Sequence, residues 1–166
     1  TPQKEALDKL LKAAQYELVQ SQSMKILAVS PRDSDVRVAL ARAYKEQNRL
    51  DEALEAIESV LMEDPSNAAA RVVAGQIFLS QGRFVEADEN FRIASETTDG
   101  DHALFYAWGK TLSLLGLVEL ALEKYEKACE LDPYDADVYD AWGTALKTLG
   151  RFTEAAEVYK RASEYI

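Results

Sequence analysis

Few residues in this chain have the type and spacing needed for catalytic chemistry. His102 is the only histidine, and no metal-ligand cluster or Ser–His–Asp set is apparent around it. Cys129 is the only cysteine and lies late in an apolar helical segment, where a buried thiol is more common than a reactive thiolate. The sequence therefore predicts a protein without enzymatic activity, with no catalytic residue, no metal site and no cofactor.

The carboxylates and glycines also indicate structural rather than catalytic roles. Glu52, Glu55 and Glu58 are spaced three apart, as on a solvent-exposed helix face. No glycine-rich phosphate loop occurs, because the glycines stand singly. Several of them, Gly82, Gly116 and Gly150, recur at a fixed interval of 34 residues.

The 34-residue interval extends to other residue types and marks a chain built from stacked repeats. Residues that keep this step are Ala53, Ala87, Ala121 and Ala155, then Phe91, Tyr125 and Tyr159, and then Ala94, Ala128 and Ala162. The chain divides into four repeats at 34–67, 68–101, 102–135 and 136–166, preceded by residues 1–33. Each repeat shows two apolar patterns of helical period separated by a glycine or, at Asn48, an asparagine.

Composition sets further limits on the function. The 166 residues are 48% hydrophobic, which is enough for a packed core. The net charge of −10 is spread through the repeats and disfavours nucleic acid or an anionic membrane as the partner. No apolar run is long enough to span a bilayer, so we expect no membrane insertion and a cytoplasmic location. The chain begins without methionine, which is compatible with a processed protein or a fragment.

These features resemble the tetratricopeptide repeat family. The residues that carry the resemblance in the third repeat are Gly109, Leu112, Gly116, Ala121, Tyr125, Ala128 and Pro133, and in the fourth Gly143, Leu146, Gly150, Phe152, Ala155, Tyr159 and Ala162. The resemblance implies an all-α solenoid of antiparallel helix pairs that form a right-handed superhelix. It also implies that small residues at the helix contacts, such as Ala121, have a packing role.

The resemblance further implies a binding groove lined by the first helix of each repeat. Its candidate partner-binding residues here are Val38, Arg42, Val72, Gln76, Tyr106, Lys110, Asp140 and Thr144. The valines and Tyr106 would contact apolar side chains of a peptide or protein segment, while Arg42 and Lys110 would meet its carbonyls or carboxylates. The Lys, Asn and Arg clamp with which some family members hold the acidic tail of heat-shock chaperones is incomplete in this sequence.

Residues 1–33 fit the repeat poorly. Their leucine stripe predicts either one long amphipathic helix or a degenerate helix pair, and its expected role is to cap the open end of the stack. Self-association through this stripe, or through the C-terminal repeat, is an alternative.

The predicted function is a non-catalytic scaffold or adaptor that binds a protein or peptide in the groove. Two other functions stay open: a self-assembling structural module, and the targeting region of a larger enzyme.

Overall fold

The computed structural model describes residues 1–166, and the chain is all-helical. It contains ten α-helices and no strand. The helices are α1 (Pro2–Lys12), α2 (Tyr16–Val29), α3 (Ser34–Glu46), α4 (Leu50–Glu63), α5 (Ala68–Ser80), α6 (Phe84–Ser95), α7 (His102–Leu114), α8 (Val118–Leu131), α9 (Ala136–Thr148) and α10 (Phe152–Tyr165). None of them is long and apolar enough to cross a membrane.

The turns inside the helix pairs share one backbone geometry. A residue with positive φ ends the first helix at Asn48, Gly82, Gly116 and Gly150, as the sequence predicts. The next residue then donates its N–H to a carbonyl five residues earlier, as Leu117 does to Leu112 at 2.9 Å. This hydrogen bond closes a Schellman-type cap, which satisfies a carbonyl at the helix end and reverses the chain.

The same turn occurs at the start of the chain, where the sequence left two alternatives open. Ala14 has a φ of +56°, and Gln15 donates its N–H to the Leu10 carbonyl at 3.0 Å. Residues 2–29 therefore form two helices rather than one long helix. Ala14 lies 34 residues before Asn48, so this pair keeps the period of the repeats.

The chain divides into two compact units, Thr1–Ile77 and Phe78–Ile166. In the N-terminal unit α1 and α2 both pack on α3, and α3 packs on α4. Residues from three helices form one core cluster there: Leu7, Val19, Val36, Ala39 and Ala43. This burial of apolar surface from α1 and α2 against α3 is what holds the first helix pair in place.

In the C-terminal unit each helix packs on its chain neighbours, and α7 also contacts α9. Glycines permit the closest approaches. A Cβ atom at Gly109 would lie 2.6 Å from a ring carbon of Tyr125, and one at Gly143 would collide with Tyr159. Because no side chain fits at these places, the second helix of the pair lies directly against the backbone of the first. The packing of α8 on α7 and of α10 on α9 depends on these contacts, and α7 and α9 carry half of the candidate binding residues.

Candidate functional site

The eight candidate groove residues fall into two sets of four, one in each unit. In the N-terminal unit Val38 and Arg42 lie on α3, and Val72 and Gln76 lie on α5. Val38 is only 5% exposed and Val72 only 3%, so both valines pack in the core and offer little area to a partner. Arg42 and Gln76 are half-buried. The polar members of this set are therefore its accessible part.

Helix α1 contributes to the surroundings of Arg42. Arg42 and Val38 line a cavity of about 290 Å³ together with Lys4, Asp8 and Asp35. Lys4 Nζ lies 2.8 Å from Asp35 Oδ2, and this hydrogen bond raises the pKa of Lys4. The cavity is bordered by charges of both signs, and one of its cations is already paired within the chain.

In the C-terminal unit the candidate residues border a larger and less polar depression. Tyr106 and Lys110 lie on α7, and Asp140 and Thr144 lie on α9. Three of them line a cavity of about 320 Å³ between the two helices. Its lining residues are Lys110, Ser113, Leu114, Val118, Tyr125, Asp140, Ala141, Thr144, Ala145 and Thr148. The sequence pattern thus brings together Lys110, Asp140 and Thr144 on one concave surface.

Tyr125 lines this cavity, and the Tyr106 ring lies next to it. The Tyr106 and Tyr125 rings lie 6.4 Å apart in a tilted arrangement, and Lys110 Nζ lies 5.4 Å from the centre of the Tyr106 ring. Ser113 Oγ hydrogen-bonds Tyr125 Oη at 3.2 Å. Burial raises the pKa of Tyr106, and the carboxylates of Asp137 and Asp135 act in the same direction. Tyr106 is therefore a neutral, half-buried ring next to an exposed ammonium group.

The two charged groups of the cavity have no oppositely charged partner within the chain. Lys110 and Asp140 are both exposed, and neither forms an ion pair within the chain. Leu114, Val118 and Ala145 add apolar atoms to the lining of the same cavity. A cavity of this kind matches one apolar side chain flanked by backbone or side-chain groups of opposite polarity.

Comparison with known proteins decides the family. Models described as tetratricopeptide repeat match residues 10–65, 38–101 and 136–165. This chain belongs to the tetratricopeptide repeat family. Tetratricopeptide repeats act in general as scaffolds for protein interaction. No curated protein matches the sequence significantly.

Solved tetratricopeptide repeat structures share the fold over nearly the whole chain. MamA superposes with a TM-score of 0.78 at 21% identity, over 96% of this chain and 93% of MamA. TTC0263, a thermophilic TPR protein in Thermus thermophilus, superposes with a TM-score of 0.81 at 18% identity, over 99% of this chain and 90% of TTC0263. At this level of identity the likeness concerns the fold.

The structural role of His102 is not evident from the sequence. His102 Nδ1 lies 3.1 Å from the Ala128 carbonyl, and His102 Nε2 lies 2.8 Å from Asp135 Oδ2. Asp135 also accepts the N–H of Asp137 and so caps α9. His102 thereby connects the start of α7 with the end of α8 and the start of α9. Its partners lie 26 and 33 residues away, and only a known repeat register could have suggested them.

The two tryptophans differ in their surroundings. Trp108 is 9% exposed, and its Nε1 donates to Asp88 Oδ1 at 2.7 Å. Trp142 is only half-buried and lies beside Arg161. No group of His, Cys, Asp and Glu side chains has an arrangement that could hold a metal ion.

Proposed function

We propose that this protein is a non-catalytic adaptor that holds a segment of a partner protein on the face formed by α7 and α9. The observation that carries the proposal is the cavity of about 320 Å³ lined by Lys110, Asp140 and Thr144. It combines an apolar floor with one cation and one carboxylate that have no ion-pair partner in the chain. Interaction sites commonly combine apolar anchoring with a few oriented polar groups.

The proposed partner segment contributes one apolar side chain to the cavity and polar groups to its border. Lys110 would donate to a carbonyl or carboxylate of the segment, and Asp140 would accept from an N–H or pair with a cation. Tyr106 would supply a rigid ring at the edge, and tyrosine is enriched among residues that dominate binding energy. Arg42 and Gln76 lie in the N-terminal unit and are proposed as contacts of that unit by itself. Val38 and Val72 are not included because they are buried.

A double substitution, Tyr106→Ala with Lys110→Glu, tests the proposed face. We expect affinity capture with the intact protein to retain a partner that this variant no longer holds, because the variant removes the ring and reverses the charge. Helical circular dichroism should be unchanged, since Lys110 is exposed and Tyr106 is half-buried.

The matched control is Tyr134→Ala with Lys127→Glu, which makes the same two exchanges in the same unit at residues that do not line the cavity. The control should hold the partner as the wild type does. A partner retained equally by both variants would show that the α7–α9 face is not the binding face.

The alternative functions stay predictions. A self-assembling structural module is one of them. A role as the targeting region of a larger enzyme, the capping role of residues 1–33 and the cytoplasmic location also remain predictions.

A further inference from the structure

Three leucines lie exposed around the turn between α7 and α8. Leu114 is 57% exposed, Leu117 46% and Leu120 47%. Single exposed apolar residues are ordinary on protein surfaces, but several close together usually mark an interaction site. The repeats themselves show whether these leucines are ordinary, because each has an equivalent position in the other three repeats.

All the equivalent positions are polar. Leu114 corresponds to Glu46, Ser80 and Thr148; Leu117 to Arg49, Arg83 and Arg151; and Leu120 to Glu52, Glu86 and Glu154. The fold therefore does not need an apolar side chain at any of these places. The third repeat alone departs from the pattern, and it does so at all three positions together.

In the other repeats two of these positions form an ion pair. Arg83 Nε lies 3.1 Å from Glu86 Oε1, and Arg151 Nη2 lies 2.6 Å from Glu154 Oε2. Residue 117 immediately precedes α8 and residue 120 lies in its first turn, and the Arg–Glu pairs of the other repeats show that side chains at these two positions can meet. The third repeat carries two exposed leucines where the other repeats carry an ion pair.

A fourth exposed apolar residue stands at a position related to Leu117 by the repeat. Arg151 reaches across to the preceding helix pair, where its Nη1 lies 3.1 Å from Glu119 Oε2. One period earlier, the residues at the same two positions are Leu117 and Val85, and Val85 is 69% exposed. A polar contact between adjacent helix pairs is thus replaced by two apolar residues. We call Val85, Leu114, Leu117 and Leu120 the apolar patch.

The charge around the apolar patch indicates what would cover it. Residues 68–135 contain six Lys and Arg against twelve Asp and Glu, a net charge of −6. Glu119 and Glu123, which flank Leu120 on α8, are both exposed; Glu119 is paired with Arg151, whereas Glu123 forms no ion pair within the chain. A second copy of the chain would bring its own net charge of −10 against this border, which disfavours it as the occupant. The same negative charge attracts a basic partner.

We propose that the apolar patch docks a basic amphipathic helix of a partner protein. The apolar stripe of that helix lies on Val85, Leu117 and Leu120, and its Lys or Arg residues face the acidic border. Such a helix presents apolar residues at intervals of three and four, which suits a short surface of this kind. The apolar patch is a second surface beside the α7–α9 cavity, with Leu114 at the boundary between them.

The test exchanges the apolar patch for the ion pair of the other repeats, by Leu117→Arg with Leu120→Glu. The probe is a fluorescein-labelled helical peptide with leucines at positions 1, 4, 5 and 8 and lysines bordering them. Fluorescence anisotropy measures its affinity. We expect the double variant to bind it at least about tenfold more weakly than the wild type, since the apolar contact area is lost. Circular dichroism and the thermal midpoint should match the wild type, because three repeats already carry this pair.

Three controls make each result decisive. Val29→Glu with Met62→Arg makes the same exchanges at two exposed residues of the N-terminal unit and should leave the peptide affinity unchanged. Tyr106→Ala with Thr144→Ala, which alters the α7–α9 site without changing the charge, should also leave it unchanged, which separates this surface from the α7–α9 cavity. A peptide bordered by glutamates instead of lysines should bind several-fold more weakly, since like charges repel.

The proposal is overturned by a wild type that does not bind the lysine-bordered peptide, by equal affinity in the Leu117→Arg, Leu120→Glu variant, or by equal affinity for the glutamate-bordered peptide. Analytical ultracentrifugation then measures the oligomeric state of the wild type and of the Leu117→Arg, Leu120→Glu variant. A wild type that dimerises while this variant stays monomeric would show that a second copy of the chain covers the apolar patch instead.

Discussion

Cys129 shows how the interior of a helical repeat suppresses side-chain reactivity. The residue lies on α8 and is 1% exposed. Burial raises the pKa of its thiol to about 11, and the nearby carboxylates of Asp135 and Glu126 act in the same direction, while Arg161 acts against them. A thiol with this pKa is almost entirely protonated near neutral pH. The sequence prediction of a buried, unreactive thiol rests on the same physical reason.

We predict that the native protein reacts with a thiol reagent such as Ellman's reagent at pH 8 about a hundredfold more slowly than the chain unfolded in urea. The folded chain has very little thiolate at that pH, and the single cysteine makes the signal unambiguous. Absorbance at about 412 nm follows the reaction. Equal rates in the two states would contradict the burial of Cys129.

The same pKa shift fixes the direction of a pH effect on stability. Because the thiol pKa is higher in the folded chain, the unfolded chain loses its proton first as the pH rises. The stabilising contribution is therefore complete below about pH 8.5 and is lost as the pH rises towards about 11. The raised pKa values of Tyr106, Tyr125 and Tyr139 add to this trend at alkaline pH.

Individual residues also mark the limit of prediction from this sequence. The repeat register placed Lys110, Asp140 and Thr144 together because it fixes which side of a helix each occupies. It did not reveal that Val38 and Val72 are buried, since exposure depends on how closely the neighbouring helices pack. Nor did it reveal the contacts of His102, whose partners come from two other segments of the chain.

At the scale of the elements, the turns between paired helices were largely predictable. Glycine and asparagine are favoured at positive φ, so Asn48, Gly82, Gly116 and Gly150 mark four turns in the sequence. Ala14 also has a positive φ, although alanine is not favoured there, so the residue type did not predict this turn. Tertiary packing of Leu7 and Val19 in the core cluster holds this turn in place.

The small residues between paired helices allow an element-scale prediction. Ala121 on α8 has no exposed surface, and Tyr125 on the same helix lies against the backbone at Gly109. We predict that Ala121→Leu lowers the free energy of unfolding by about 1–3 kcal/mol, because the larger side chain forces α8 away from its neighbours. Urea unfolding followed by circular dichroism measures the change.

Glu123→Leu is the matched control for Ala121→Leu. It adds a leucine to the same helix at an exposed position, and its effect should stay within about 0.5 kcal/mol. An Ala121→Leu variant as stable as the wild type would mean that α8 does not pack closely at this position.

The packing of the whole molecule leads us to expect the thermodynamics of a repeat protein. Within the C-terminal unit α9 contacts α7, α8 and α10, while the N-terminal unit has its own core cluster. Stability in such proteins is approximately the sum of the intrinsic stability of each repeat and the contacts between adjacent repeats. Loss of one terminal helix pair should therefore weaken the remainder without unfolding it.

Deletion of residues 136–166 tests this expectation. The shortened chain lacks α9 and α10, so the surfaces of α7 and α8 that they cover become exposed to water. We predict that ellipticity per residue is retained, since the remaining helices keep their other packing contacts, and that the urea midpoint falls. Tyr139→Ala in the full-length chain removes one buried ring but keeps every helix, and it should lower the midpoint less than the deletion. Complete loss of helical signal in the deletion variant would instead indicate one cooperative core, in which no repeat is stable without the last.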